Sequence, residues 1–245
     1  MKKLQLCLLA VLMLTAGACK KGELAATGNV SATEAADLVA ASLSGNSSGF
    51  VSISEGASVR SQAQFDAHLA CGSTRTDTVT KTSPMGAPTM YNYGFGYSLT
   101  LNCNTGNLPD NVTGKTNYRG AFSNPHVSST NTGSAVFTLA GLTTNARAYV
   151  FNGSLLRSGS FASKSDTSNH GTSHLDIEIH NLTLHKPDRA IASGNATFMI
   201  SGIVPTKGNF TYNGMLVFNG DGTVKLTVNG TAYMINLTTG EKTKV

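Results

Sequence analysis

Tryptophan is missing from this sequence, charges are scarce, and no long hydrophobic run interrupts it. Each absence removes a class of protein. Without tryptophan there is no indole platform of the kind a carbohydrate-binding surface would use. Asp, Glu, Lys and Arg make up 13% of the 245 residues, about half the usual ~25%. No basic run exceeds the pairs Lys2-Lys3 and Lys20-Lys21, so the clustered stripe that nucleic-acid binding requires is absent. The one apolar run, Leu4 to Leu14, is too short for a transmembrane helix of about 20 residues. No phosphate-cradling loop, dinucleotide fingerprint or Ser-x-x-Lys motif occurs. The surface polarity that charge does not supply comes from Ser, Thr, Asn and Gly, which suits an exposed antiparallel sheet better than a helical bundle.

What is present at the start is ordered. Met1-Lys2-Lys3 is basic, Leu4–Leu14 is apolar, and Thr15-Ala16-Gly17-Ala18 precedes Cys19. This is the layout of a secretory signal peptide over residues 1–18. Removing it leaves 16 basic and 13 acidic residues, a net +3. Residues 19–30 are polar and Gly-containing and read as a short tether, and residues 31–245 read as a single domain.

Cys7 leaves with the signal, and Cys19 stands at its cleavage point, so two cysteines remain, Cys71 and Cys103. An even count in an exported chain favours a disulfide between them. A redox pair would favour Cys-x-x-Cys spacing, which this is not.

Ser31-Ala-Thr-Glu34 is a capping box. Ala35, Leu38, Val39, Ser42 and Leu43 follow at helical spacing, predicting a helix over 32–44 stopped by a left-handed Gly45. A thinner stripe, Val59, Phe65 and Leu69, predicts a second helix over 58–70. From about residue 76 the period becomes two. Tyr91, Tyr93, Phe95, Tyr97, Leu99, Leu101 and Cys103 alternate with polar residues and Gly94 and Gly96, so one strand carries one apolar and one polar face. Cys103 shares the apolar parity, which predicts a buried disulfide, and the two glycines predict a bend. Further strands are predicted at about 115–122, 133–142, 146–161, 173–186, 190–204, 208–219, 223–229 and 231–237. Asp221-Gly222 and Asn229-Gly230 predict two-residue hairpin turns. A φ-Asn-Gly element, with φ a large apolar residue, recurs at 151–153, 212–214, 218–220 and 228–230; its irregular spacing argues shared turn and bend chemistry, not a solenoid repeat.

Leu175, Ile177 and Ile179 are apolar at odd positions, whereas Leu182 and Leu184 are apolar at even ones. That switch predicts a β-bulge near His180-Asn181. The expected fold is mainly β: a curved antiparallel meander sheet, half-open or closed into a barrel-like form, with one or two short N-terminal helices.

The residues that could carry chemistry are few. Gly45-Asn-Ser47-Ser-Gly49 matches Gly-x-Ser-x-Gly, but a hydrolase elbow needs a strand before the serine and a helix after it, and here the predicted helix comes first. His174, Asp176, Glu178 and His180 fall on one face at two-residue spacing. They are metal-ligand types, yet neighbours two apart lie about 6.6 Å from each other, so a metal would need partners such as His170 from adjacent strands. The plain reading is a solvated face opposite Leu175, Ile177 and Ile179. Asp110, Asp166, Asp188 and Asp221 are isolated in turn-like contexts. Tyr91, Tyr93, Phe95 and Tyr97 could line a ligand cavity, although such alternation usually packs a core. No cofactor is expected.

The small-residue stretch ending in Cys19, the Ala-rich first helix, the Cys71/Cys103 pair and the Phe218–Thr223 meander together resemble uncharacterised β-rich lipoproteins of Bacteroidota-type bacteria. The match departs at Ala16, where the lipobox usually carries Leu. The resemblance implies that Cys19 becomes the lipidated (diacyl, palmitate-bearing) first residue of the mature protein, a permanent anchor when several chains are attached. Lys20-Lys21-Gly22-Glu23 lacks the acidic residues expected of cell-surface members, which implies an outer-membrane anchor facing the periplasm. No activity is implied. Three readings follow: a non-enzymatic envelope protein binding a partner or an apolar ligand through its sheet; a structural or assembly subunit docking through a strand edge; and a hydrolase, which would require His170, His174 or His180 to meet acids in a concave cluster.

Overall fold

The computed structural model describes residues 30–245. The signal peptide, Cys19 and nearly all of the tether lie outside the described residues.

The capping box forms as the sequence predicts. Glu34 N donates to Ser31 Oγ (3.2 Å) and Ser31 N donates to Glu34 Oε2 (2.7 Å), opening α1 at Ala32–Leu43. The stop differs from expectation. Ser44 is extended and Gly45 opens a 3-10 turn, Gly45–Ser47, while the left-handed residue is Ser48 at φ 53°. Gly45 N and Asn46 N donate to Leu237 O and Thr238 O (2.8 and 2.9 Å), so the C-terminal segment holds this turn in place. A Cβ on Gly49 would strike the Ser42 and Leu43 backbone, which makes Gly49 the residue that lets the chain double back. Helix α2 then runs over Phe50–Asp66. It starts eight residues earlier and ends four earlier than the thin stripe predicts. Most of its buried face is small or polar, with Ser52, Ser54, Gly56, Ala57, Ser58 and Ser61 beside Phe50 and Ile53, so hydrophobic periodicity understates it.

Eleven strands follow: β1 Thr74–Thr82, β2 Met90–Cys103, β3 Pro109–Ser123, β4 Val127–Ala140, β5 Ala148–Ser163, β6 His170–His185, β7 Ile191–Val204, β8 Gly208–Phe218, β9 Thr223–Val228, β10 Thr231–Asn236 and β11 Lys242–Lys244. They form one antiparallel sheet in sequence order, and β1 and β11 are its two edges, so it does not close. The sequence does not single out β1 and β11. In β1, threonines alternate with Arg75, Asp77, Val79 and Lys81, leaving no apolar parity to detect.

The sheet wraps its helices. Ten strand spacings of about 4.8 Å would make a flat sheet ~48 Å wide, whereas a helix is about 10 Å across. Yet the helices reach nearly every part of it. Gln64 on α2 donates to Leu99 O on β2 (3.4 Å), Tyr149 on β5 donates to Gln62 (3.0 Å), and Thr33 on α1 meets Tyr233 on β10 (2.9 Å). One continuous core results, from Val30 to Leu237.

The bulge falls where the parity switch places it. Pairing of β5 with β6 jumps between Phe151 and Gly153, and that of β6 with β7 jumps between His180 and Thr183. Asn181 sits at φ 50° and its N–H donates to Asn152 Oδ1 (2.7 Å). Asn229-Gly230 forms the predicted two-residue turn, with both residues at positive φ. The Asp221-Gly222 turn is longer than predicted: Phe218 pairs with Val224, and residues 219–222 form the loop.

On the covered face, several direct cross-strand pairs join a glycine to an aromatic residue, among them Gly120 with Tyr93, Gly133 with Tyr118, Gly114 with Phe137, Gly202 with Phe210, and Gly214 with Phe198. In these five, the ring occupies the space a Cβ would take. Rings laid flat on glycine backbone pack a tight layer without forcing the strands apart.

Cys71 and Cys103 are bonded, with Cα atoms 5.6 Å apart, and tie the end of β2 to the segment after α2. The bond is not buried, contrary to the parity argument. Cys71 is exposed and Cys103 half-buried, because the sheet passes beyond the helix end before β2 finishes.

Candidate functional site

The space under the helices is occupied. Phe50 of α2 meets Phe151 edge-on at 5.5 Å and approaches Phe218 at 6.4 Å, while Phe151 stacks on Phe137 at 4.9 Å. Tyr93, Phe95, Tyr97 and Tyr118 form a second run of rings 5.9 to 6.3 Å apart. Tyr93, Phe95 and Tyr97, candidates for a cavity lining, are core, and Tyr91 packs at its margin. A cavity of about 10 Å³ lies between α1 and the middle strands.

Larger concavities lie on the opposite, solvent-facing side of the sheet. One of about 540 Å³ crosses β1–β4, bordered by Thr78, Thr80, Asn117, Arg119 and Thr132, with Gly94 and Gly96 in its floor. No atom lies within 4 Å of where a Gly94 Cβ would stand. The two glycines predicted to bend β2 leave a gap in its outer surface. The other, about 580 Å³, crosses β5–β8 and is bordered by Ser158, Thr172, His174, Ser201, Ile203 and Thr211.

The histidine and acid face points into solvent. His174, Glu178 and His180 are exposed and Asp176 is half-buried between Leu156 and Met199. Among the described residues no three His, Cys, Asp or Glu side chains gather where one ion could bind them. His174 Nδ1 lies 2.7 Å from Ser158 Oγ, its direct cross-strand partner. His170 Nδ1 lies 3.2 Å from Thr167 O. Neither histidine has a carboxylate hydrogen-bonded to its ring among the described residues.

The other candidates serve structure. Ser47 is buried, its hydroxyl bonded to Ala41 O and to Ser44 Oγ (2.6 Å). Asp221 Oδ1 accepts from Thr223 Oγ1 (2.6 Å) and N (3.0 Å), which holds its carboxyl below the usual range. Asp166 is held down to about 2 by its bond from Lys207 (2.8 Å) and then by Ser168. Lys207 also lies 3.6 Å from Glu34, so this pair fastens the β5–β6 turn to the start of α1. Asp188 and Asp110 accept from Ala190 N (3.2 Å) and Asn111 Nδ2 (2.7 Å).

One polar cluster escaped the sequence reading. Tyr93, Asn131 and Arg157, from β2, β4 and β5, meet on the covered face: Asn131 Nδ2 and Arg157 Nη2 both donate to Tyr93 Oη, at 2.8 and 3.1 Å. Burial pushes the Tyr93 phenol up, with Arg157 opposing. A signal for it exists. Arg157 shares odd parity with Tyr149, Phe151, Leu155 and Phe161, and Asn131 shares it with Ala135, Phe137 and Leu139. Both stand at core positions of their strands.

No protein-family model, curated protein or solved structure matches the chain. Among the described residues no helix is long and apolar enough to cross a membrane.

Proposed function

We propose that the protein is a lipid-anchored, non-enzymatic component of the cell envelope that docks a partner on the solvent face of its curved sheet. The signal-like residues 1–18 and Cys19 are the basis for the anchor. The observation behind the docking face is the distribution of space: about 540 and 580 Å³ on the solvent face against about 10 Å³ beneath the helices. A pocket for a drug-sized apolar molecule needs ~300 Å³ or more, so of the two ligand types the sheet could take, a macromolecular partner outside fits better than an apolar molecule inside. Val136, Leu156, Met199, Met215 and Val217 are exposed apolar residues on that same outer face. Single ones are ordinary; beside two grooves they extend the surface a partner can cover.

Docking through an edge is less well supported. On β1, Asp77 pairs inward with Arg60 (2.6 Å) and Lys81 with Glu55 (3.8 Å), and β11 has three residues, two of them lysine. Inward charges, lysines and shortness are how sheets protect edges from pairing.

The test begins with native mass spectrometry of residues 20–245, then photocrosslinking in intact envelopes from Asn117 and Thr172, with Lys225 as a control outside both grooves. One partner mass captured from a groove position and not from Lys225 is expected. A lipid-sized mass that departs on denaturation, or equal capture from all positions, would overturn the reading. Separately, Cys19→Ser is expected to abolish incorporation of labelled palmitate.

A further inference from the structure

The strand glycines fall into two groups. First and last residues apart, every glycine inside a strand but two would bring a Cβ to under 3.0 Å from a neighbouring atom, and several of those sites are filled by rings of the core. Gly94 and Gly96 are the two. No atom lies within 4 Å of a Cβ on Gly94, and the nearest to one on Gly96 is Asn117 O at 3.9 Å. Glycine weakens a strand unless something uses the space or the freedom it gives. Neither residue has positive φ, and the pairing of β2 with β1 and with β3 passes both without a break. Neither a turn nor a bulge therefore requires them. A bend or the close approach of another molecule remains.

The surroundings favour approach from outside. Strands β1 and β3 flank β2 at about 4.8 Å each, and the two glycines stand about 6.6 Å apart along it. They make a flat floor the size of an aromatic ring, walled by Thr78 and Thr80 on one side and by Asn117 and Arg119 on the other. None of these four side chains hydrogen-bonds to another described residue. Further along the same face, by contrast, Thr74 meets Thr100 (2.8 Å) and Asn102 donates to Asn111 (2.9 Å). Arg119 is exposed and directly opposite Gly94, so it can lie over the upper face of a seated ring, as Arg60 lies 4.5 Å from the Tyr97 ring in this molecule. Charge selects the rest of the occupant. Away from the strand ends, the charged residues on the outer face of β1–β4 are Lys115 and Arg119, and neither has a described carboxylate within ion-pair distance. An aromatic residue flanked by acids complements both.

We propose that this groove seats an aromatic side chain from an acidic segment of the protein partner, its ring flat on Gly94 and Gly96, Arg119 over it and a carboxylate beside Lys115. The inference rests on the docking reading above and names what docks. A branched aliphatic side chain covers the floor less completely and gives Arg119 no π face.

The experiment uses the folded chain with its disulfide, isotope-labelled for NMR. Titration with acetyl-Glu-Phe-Glu-amide is expected to shift the Gly94 and Gly96 amide signals most, by ring current, and to saturate. The leucine counterpart should bind about fivefold more weakly, and acetyl-Lys-Phe-Lys-amide should leave both signals in place. Gly94→Val should abolish the shift at Gly96 while Tm stays level, and Arg119→Met should weaken binding about fivefold. No shift at the glycines, or equal affinity for the leucine peptide, overturns the proposal. So does a marked fall in the Tm of Gly94→Val, which would assign the glycines to the sheet's own curvature. Free hydrocinnamate binding as tightly as the peptide would overturn it in favour of a small aromatic acid. A partner captured from Asn117 in envelopes, and captured equally in Gly94→Val, would overturn this inference and leave docking itself standing, whereas equal capture from all positions overturns both.

Discussion

The two ends of this interior are built on opposite principles. Where α1 hands over to α2, Phe50, Phe137, Phe151 and Phe218 pack ring against ring with no polar atom among their side chains. Towards the other end of the same strands, Tyr93, Asn131 and Arg157 carry hydroxyl, amide and guanidinium groups into the core. The first region gains from burial and aromatic geometry alone. The second takes on desolvation that its few hydrogen bonds offset in part, and a hydrophobic replacement of similar volume would be neutral or better for stability. The contrast teaches that apolar packing holds this fold together, and that the polar end is where to look for a role other than stability.

Alkaline titration should separate the two ends most widely. Burial raises Tyr97 and Tyr118 to about 12. The folded state therefore favours their neutral form, and the stability this represents is whole below the unfolded value near 10 and is lost as pH climbs towards 12. Each tyrosine should lower stability by about 1.4 kcal/mol per pH unit across that window. Urea midpoints measured from pH 9 to 12 should fall, and Tyr118→Phe should reduce the slope. A fall that Tyr118→Phe leaves unaltered would mean that the tyrosine end is not the pH-sensitive one.

Phe151→Ala strikes the dry end. It should cost about 3–5 kcal/mol in urea unfolding, because Phe151 is fully buried between two rings. A cost as small as that of an exposed residue would remove the distinction between the two ends.

Glycines sharpen a second contrast, between the covered and solvent faces. Gly133→Ala pushes a methyl into the Tyr118 ring and should cost about 1–3 kcal/mol, read as a lowered Tm. Gly94→Ala meets open space and should change stability by no more than about 0.5 kcal/mol. It nevertheless narrows the groove over β1–β4, so photocrosslinking from Asn117 should fall while Tm stays level. Unchanged capture would locate docking elsewhere on the sheet.

Much of this was readable along the chain. Alternation in residues 91–103 marks the covered face of β2, and the change of parity between Ile179 and Leu182 places the bulge at His180-Asn181. What escaped has a physical cause in each case. Helix α2 buries serine, glycine and alanine, which carry little hydrophobic signal. Strand β1 turns its charges towards α2 and its threonines outward, so neither parity is apolar. One motif, φ-Asn-Gly, serves different ends: at 151–153 it meets the bulge, at 212–214 its glycine seats the Phe198 ring, and at 228–230 it makes a turn.

The sequence by itself determined which face of the sheet most side chains take, because alternation along a strand is local and survives any arrangement of neighbours. It placed Arg157 and Asn131 among inward positions for that reason. Only the tertiary structure decided what those residues meet. Tyr93 finds Asn131 across 38 residues and Arg157 across 64, and those meetings depend on turn lengths, on register and on how the sheet curls around two helices. Those quantities accumulate over the whole chain, so no single segment contains them.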